Sequence, residues 1–145
     1  SALFEIMNRC ALEMVHNKTI TRQEYDQFVI PMWPRTPDDH YVEMKKRFEI
    51  VHEESFEFNL PFAVFINQEP EKFARITSGF LRAFSESAFK SCLNTAERSE
   101  GQRQLLVNQF YEGIFGYLVS LDKEKLTAIG NENGRYYAIV GKKVV

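Results

Sequence analysis

The chain has 145 residues, 44% of them apolar, which suits one globular domain with a buried core. Its net charge of −2 offers no basic surface, so neither nucleic acid nor an anionic membrane is an expected partner. No apolar run approaches the roughly 18 residues of a membrane helix and no signal-peptide pattern opens the chain, so we expect a cytoplasmic protein.

The first third of the chain predicts three helices. Residues 3–17 place apolar side chains at helical spacing, and the chain begins inside this pattern without a starting methionine, which indicates that it was cut from something longer. Thr21 with Glu24 three residues later is a capping box, so a short helix is expected over about 22–28. Thr36, followed by a proline and two aspartates, predicts the start of a third helix.

The stretch YDQFVIPMWPRTPDD, residues 25–39, is unusual for a connector. Its three prolines deny backbone donors and bias their neighbours away from helix. It nevertheless keeps Phe28 and Trp33, the only tryptophan, although loops normally carry few large apolar groups. We therefore expect these side chains to pack against other apolar groups and not to lie in solvent.

The rest of the chain mixes strand and helix patterns. Alternating residues over 48–60 predict one long or two short strands. Residues 70–93 and 102–121 predict two long helices with apolar stripes. Residues 125–143 predict a hairpin with Asn133-Gly134 in a type I′ turn. Together these patterns predict an α+β fold, mostly helical, with about three antiparallel strands.

The residue types that act in catalysis or bind metals form no recognisable motif in this sequence. The three histidines are scattered, and no serine lies in a GxSxG motif. Cys10 and Cys92 are expected to be reduced, buried thiols. Gly113 and Gly116 interrupt a predicted helix, which indicates either a closely packed neighbour or a tolerated weakness.

The order of these motifs is similar to that of a known enzyme family. The segment ALEMVHNKTITRQEYDQFVIPMWPRTPDD is followed by SFEF, then by GFLRAFSESAF, and then by a closing helix and hairpin. This order resembles the C-terminal part of the SABATH methyltransferases over nearly the whole chain. These enzymes transfer a methyl group from S-adenosylmethionine to carboxylates or ring nitrogens of small molecules such as salicylate, jasmonate and xanthines.

The resemblance implies a fold in which a helical cap closes over a Rossmann-like sheet. This chain, taken as one domain, would contribute cap helices at about 1–47 and 70–121, and the last antiparallel strands at about 48–60 and 125–143. The missing N-terminal half would hold S-adenosylmethionine, so this chain alone would hold no cofactor and would be inactive. Its exposed apolar faces are expected to drive formation of a homo-oligomer.

The resemblance also implies a set of residues that face a small-molecule acid. Methyl transfer from a sulfonium is a direct displacement that needs no catalytic side chain, so the expected contribution of the cap is positioning and exclusion of water. Asp26 lies at the magnesium position of the family, but Val29 supplies no side-chain oxygen there, so no metal is expected. The substrate-facing residues would be Leu3, Phe4, Trp33, Leu81, Phe84 and either Tyr136 or Tyr137, with Tyr137 preferred.

Two other readings of the sequence remain open. The phenylalanine-rich stripes could instead bind a partner helix in a non-enzymatic interaction module. The chain could also be a stand-alone ligand-binding protein that uses a pocket at Trp33. A glycine-rich cofactor motif upstream would favour the enzyme, whereas a saturable change in Trp33 fluorescence with aromatic carboxylates in a monomer would favour the ligand-binding protein.

Overall fold

The computed structural model of the chain describes residues 1–31, 36–132 and 134–144. These residues form six α-helices, a 3-10 helix and two antiparallel strands, which confirms the predicted α+β class. They divide into a helical unit, residues 1–31 and 61–132, and a strand unit, the described parts of 32–60 and 133–145. In chain order the elements are α1 (Ala2–His16), α2 (Arg22–Asp26), α3 (Pro37–Met44), β1 (Phe48–Phe58), the 3-10 helix (Pro61–Phe65), α4 (Pro70–Cys92), α5 (Glu100–Ser120), α6 (Lys123–Gly130) and β2 (Gly134–Lys143).

The core of the helical unit is built around α5, which packs against both α1 and α4. Apolar residues recur every four positions along α5, and this spacing brings Phe110, Ile114 and Leu118 to nearly complete burial. Phe89 of α4 stacks on Phe110 with a ring-centroid distance of 4.2 Å. The two long helices predicted from the sequence are therefore confirmed, and residues of both apolar stripes lie in the core, whereas Phe80 of α4 is exposed.

Two of the short helices begin at side chains that cap free backbone amides. The Thr21 hydroxyl accepts a hydrogen bond from the Glu24 N–H, and the Glu24 carboxylate accepts one from the Thr21 N–H. Thr36 and Asp39 form the same reciprocal pair at the start of α3. The helix starts predicted after Thr21 and Thr36 are confirmed.

The strand unit contains α3 and a ribbon of two long antiparallel strands. The register places Phe58 opposite Gly134 and Glu57 opposite Arg135. The side chains of Glu57 and Arg135 form an ion pair. Opposite charges in such cross-strand positions stabilise a sheet. The alternating pattern over 48–60 thus belongs to one long strand, and the described residues contain two strands where about three were predicted.

The hairpin predicted over 125–143 is wrong in its first half, because residues 123–130 form a helix. The Asp122 side chain caps this helix by accepting the Lys125 N–H at 2.9 Å. Leu126 and Ile129 are buried three positions apart, which is helical spacing. The predicted turn involves Asn133, which lies outside the described residues, and β2 pairs with the distant β1 instead.

Of the two explanations given for the glycines inside α5, the structure favours a tolerated weakness over a closely packed neighbour. Apart from the nearby backbone of α5 itself, a Cβ at Gly113 or Gly116 would meet no atom of the described residues within 4 Å. Replacing Gly113 with alanine is expected to raise the free energy of unfolding by about 1 kcal/mol, because alanine loses less backbone entropy in a helix. Urea denaturation of the purified variant measures this change.

Gly130 at the end of α6 is the matched control. A Cβ there would lie 2.5 Å from Ile66 Cδ1 and 3.0 Å from Ala63 Cβ, so the same substitution forces neighbouring atoms apart. Gly130→Ala is expected to destabilise the protein by about 1–3 kcal/mol. A loss of stability in Gly113→Ala as well would contradict the assignment of open space in α5.

Candidate functional site

Five of the six residues that the resemblance predicts at the substrate lie in the described part of the chain, and they are divided between the two units. Leu3 and Phe4 lie on α1, and Leu81 and Phe84 lie on α4, so these four belong to the helical unit. Tyr137 lies on β2 in the strand unit. The last member of the predicted set, Trp33, lies outside the described residues. The candidate site is therefore described from the four residues of the helical unit.

Four phenylalanines of the helical unit form a continuous row of ring contacts, which we call the aromatic row: Phe4, Phe84, Phe80 and Phe62. The rings of Phe4 and Phe84, on different helices, have centroids 6.3 Å apart. Phe80 contacts Phe84 edge-on at 5.5 Å, and Phe62 contacts Phe80 at 5.8 Å. These distances lie in the range of favourable aromatic pairs. The row therefore connects α1, α4 and the 3-10 helix.

The aromatic row is open to solvent along part of its length. Phe4 is 37% exposed and Phe80 is 43% exposed, while Phe84 is half-buried. Leu3 and Leu81 differ from this pattern, because both are buried and present almost no surface to a ligand. Of the four predicted residues in this unit, Phe4 and Phe84 thus form an accessible apolar surface, whereas Leu3 and Leu81 lie in the core.

Two members of the aromatic row were not among the residues predicted from the sequence. Phe80 precedes Phe84 by four positions, and this spacing places both side chains on one face of α4, so helical geometry could have found it. Phe62 follows β1 in a stretch without clear periodicity, and no sequence signal connects it with α4. Its place in the row becomes visible only in the folded chain.

Part of the contact between α4 and α5 is polar, and its charges are already paired. Arg82 donates hydrogen bonds to Glu86 and Asn108, and its guanidinium lies over the Tyr111 ring. The Glu86 partner raises the pKa of Arg82, and Arg82 in turn lowers the pKa of Glu86. Ser85 completes this contact through a 2.8 Å hydrogen bond with the Tyr111 hydroxyl. These groups join the two helices, so Arg82 is not free to bind an acid.

Asp26, at the magnesium position implied by the resemblance, lies in an ion pair. Its carboxylate accepts a hydrogen bond from Arg22 Nε at 2.9 Å, and both side chains are exposed. Among the described residues, no group of three or more His, Cys, Asp or Glu side chains could hold a metal ion. The aromatic row itself offers apolar contacts to a bound molecule.

Both cysteines are buried, as the sequence predicted. Burial raises the pKa of Cys10 to about 11 and that of Cys92 to about 12. Because the thiolate is the reactive form, neither thiol is a good nucleophile near neutral pH. The two residues belong to the packing of the helical unit.

One buried ion pair lies outside the aromatic row and had no signal in the sequence. Glu24 of α2 is 2% exposed and pairs with Arg98, with an Nε–Oε1 distance of 2.7 Å. Arg98 is the main cause of a Glu24 pKa lowered to about 2. The pair joins α2 to the connection between α4 and α5, so we assign it to stability.

A groove of 860 Å³ lies between α1, α5 and α6 in the helical unit. Charged side chains of both signs line it, including Glu5, Arg9 and Lys125, and Arg9 lies over the ring of Tyr117 at 4.8 Å. None of the predicted substrate residues lies among its lining residues. The groove is thus separate from the surface to which the resemblance points.

In the described part of the chain, no helix combines the length and apolar character that crossing a membrane requires. Comparisons of this chain with models of protein families, with curated proteins and with solved structures gave no match. An assignment of function therefore depends on the residues of the site and on the sequence resemblance.

Proposed function

We propose that this chain is the C-terminal, substrate-binding portion of an S-adenosylmethionine-dependent methyltransferase of the SABATH type. Its substrate is a small-molecule carboxylate or ring nitrogen, and a preceding half of the enzyme holds the cofactor. The observation that carries the proposal is the contact between Phe4 and Phe84. These two residues are 80 positions apart, the resemblance assigns both to the substrate, and their rings meet at a partly exposed surface.

The order of elements supports the same proposal. The resemblance predicts helices of a cap together with the last antiparallel strands of a larger sheet. β1 and β2 pair antiparallel, and a two-stranded ribbon is rarely stable in water without further strands or a packed helix. Membership in a larger Rossmann-like sheet would give this ribbon the neighbours that it needs.

The aromatic row suits the physical demands of methyl transfer. S-adenosylmethionine supplies the electrophilic methyl group when it is bound, and the reaction needs no acid or base from the cap. The rings of Phe4, Phe80 and Phe84 offer a partly exposed apolar surface against which an aromatic or otherwise apolar substrate can pack. Covering the substrate with this surface excludes water and fixes its orientation.

Binding of aromatic acids to the full chain tests the proposal. Benzoate and salicylate, titrated into isotope-labelled protein and followed by NMR, are expected to shift resonances of the aromatic row in a saturable way. Phe84→Ala is expected to weaken this binding about tenfold, because it removes a ring worth roughly 1.4 kcal/mol or more of contact.

Phe115 on α5 supplies the control for this experiment. It is half-buried like Phe84 and belongs to the same unit, but its ring lies against the Arg75 guanidinium and outside the aromatic row, so Phe115→Ala is expected to leave binding unchanged. Equal binding by the wild type and Phe84→Ala would contradict the proposal. Methyl transfer from labelled S-adenosylmethionine by the parent-length enzyme, reduced in Phe84→Ala, is the corresponding test of activity.

The proposal includes self-association of this chain. Val64 and Leu105 are about 70% exposed (72% and 69%), and Phe80 adds a ring that is 43% exposed. Exposed apolar groups of this size favour association when the half of the enzyme that would cover some of them is missing. Light scattering of the purified chain is expected to give a mass above 17.0 kDa.

A further inference from the structure

The hydroxyl of Thr77 on α4 is buried without a hydrogen-bond partner among the residues that the structure describes. The side chain is 0% exposed. A buried polar group normally has a partner, because burying it unpaired forfeits its hydrogen bonds to water. Thr77 therefore stands out as a place where a hydrogen bond can still be made.

Helical spacing places Thr77 on the same face of α4 as the aromatic row. Phe80 follows it by three positions and Phe84 by seven, and both spacings bring side chains to one side of a helix. Phe73, four positions earlier, contacts Phe62 at the end of the row at 5.9 Å. The unpaired hydroxyl thus belongs to the face of α4 that carries Phe80 and Phe84 of the aromatic row.

Phe80 is the neighbour on α4 that can uncover this hydroxyl. The helix positions three or four away from Thr77 are occupied by Phe73, Ala74, Phe80 and Leu81. Three of them are 0% exposed and fixed in the core, whereas Phe80 is 43% exposed. Of these four side chains, Phe80 is therefore the one whose ring is exposed enough to rotate outward without disturbing the core.

We infer that Thr77 is a specificity-determining residue, whose hydroxyl hydrogen-bonds a neutral polar substituent on the ring of an aromatic acid. This inference rests on the proposed function. The ring of the ligand takes the place of the Phe80 ring, and its hydroxyl, carbonyl or ring nitrogen faces Thr77. The carboxylate points away, because a single hydroxyl cannot compensate a fully buried charge.

Two nearly isosteric probes test this inference on the full chain, namely 4-hydroxybenzoate and 4-methylbenzoate. The wild type is expected to bind the hydroxyl compound about tenfold more tightly, since a site built for a hydrogen bond discriminates against a ligand that lacks it. Thr77→Val keeps the shape and is expected to abolish the preference, while Thr77→Ser keeps the hydroxyl and retains it. NMR titration measures all six affinities.

Thermal unfolding supplies a second measurement, which distinguishes a ligand-binding role of the Thr77 hydroxyl from a structural one. Thr77→Val is expected not to lower the melting temperature, because it removes a hydroxyl that has no partner. A lowered melting temperature would mean that the hydroxyl is bonded in the free protein, which overturns the inference.

The outcomes of the titration separate this inference from the proposed function. Equal binding of both probes by the wild type, lost in Phe84→Ala, overturns the role of Thr77 and leaves the aromatic row as the binding surface. Binding of neither probe overturns both. A preference that survives in Thr77→Val assigns the discrimination to another residue and also overturns the inference.

Discussion

Replacing Arg98 with methionine is expected to lower the free energy of unfolding at pH 7 by about 3 kcal/mol, because it leaves a buried carboxylate without its counter-ion. Methionine keeps the apolar stem of the side chain and removes the charge. Urea denaturation, with the slope of the transition checked for two-state behaviour, measures the loss.

The geometry around Glu24 explains the size of this effect. Its two carboxylate oxygens accept hydrogen bonds from the backbone N–H groups of Thr21 and Asn94 and from Nε and Nη2 of Arg98. Arg98 also donates to the Thr19 carbonyl at 3.2 Å. Bidentate pairing of this kind compensates the cost of burial only while both partners are present.

The same pair makes the stability of the wild type sensitive to acid. The hydrogen bond from Arg98 lowers the pKa of folded Glu24 from 4.5 to about 2. The contribution of the pair is therefore complete above about pH 4.5 and is lost as the pH falls towards 2. Stability measured at pH 6 and pH 3 is expected to fall more in the wild type than in Arg98→Met.

Arg22 provides a matched control on the same short helix. It pairs with Asp26, but both side chains are more than half exposed, and solvent screens such a pair. Arg22→Met is expected to change stability by less than about 0.5 kcal/mol. Similar losses in Arg22→Met and Arg98→Met would show that burial is not what gives the Glu24 pair its strength.

The features that the sequence predicted correctly depend on residues close together in the chain. The box of Thr21 and Glu24 spans three positions, and the apolar stripes of α4 and α5 repeat every three or four. Such signals need no knowledge of the rest of the fold. They specified where the main helices lie and that their apolar faces are buried.

The features that were missed depend on contacts between distant residues. Glu24 and Arg98 are 74 positions apart, and no local pattern links them. The apolar residues at 126–129 fit a strand as well as a helix. They form a helix because Asp122 caps its first turn and because the helix buries Leu126 and Ile129 in the helical unit. β2 then finds its partner in β1, which a search for local hairpins does not reveal.

The residues of the candidate site came from the resemblance and not from periodicity, and their role at a substrate stays a prediction. Phe4 and Phe84 do contact each other, whereas the exposed position of Phe80 and the unpaired hydroxyl of Thr77 follow from burial, which a sequence does not state. The role of Trp33 stays a prediction. Phe28, from the same proline-rich stretch, packs edge-on against the core of the helical unit.

Phe110→Ala is expected to have the largest effect on stability, a loss of about 4 kcal/mol. Its ring is 1% exposed, stacks on Phe89 at 4.2 Å and receives the edge of Phe28 at 5.7 Å. Truncation removes the buried ring and leaves a cavity that the surrounding helices can fill only partly. Urea denaturation measures the loss, with Leu105→Ala as the control because Leu105 is exposed on the same helix.

A double-mutant cycle with Phe28→Ala tests whether the same ring cluster anchors the proline-rich stretch. Phe28 is half-buried and contacts both Phe89 and Phe110, so its truncation is expected to cost less than that of Phe110. The two losses are expected to be non-additive by about 1 kcal/mol, the usual coupling of an aromatic pair. Additive losses would mean that Phe28 is not held by this cluster. In the single-mutant comparison, a loss of stability in Leu105→Ala equal to that in Phe110→Ala would mean that burial does not explain the effect of Phe110→Ala.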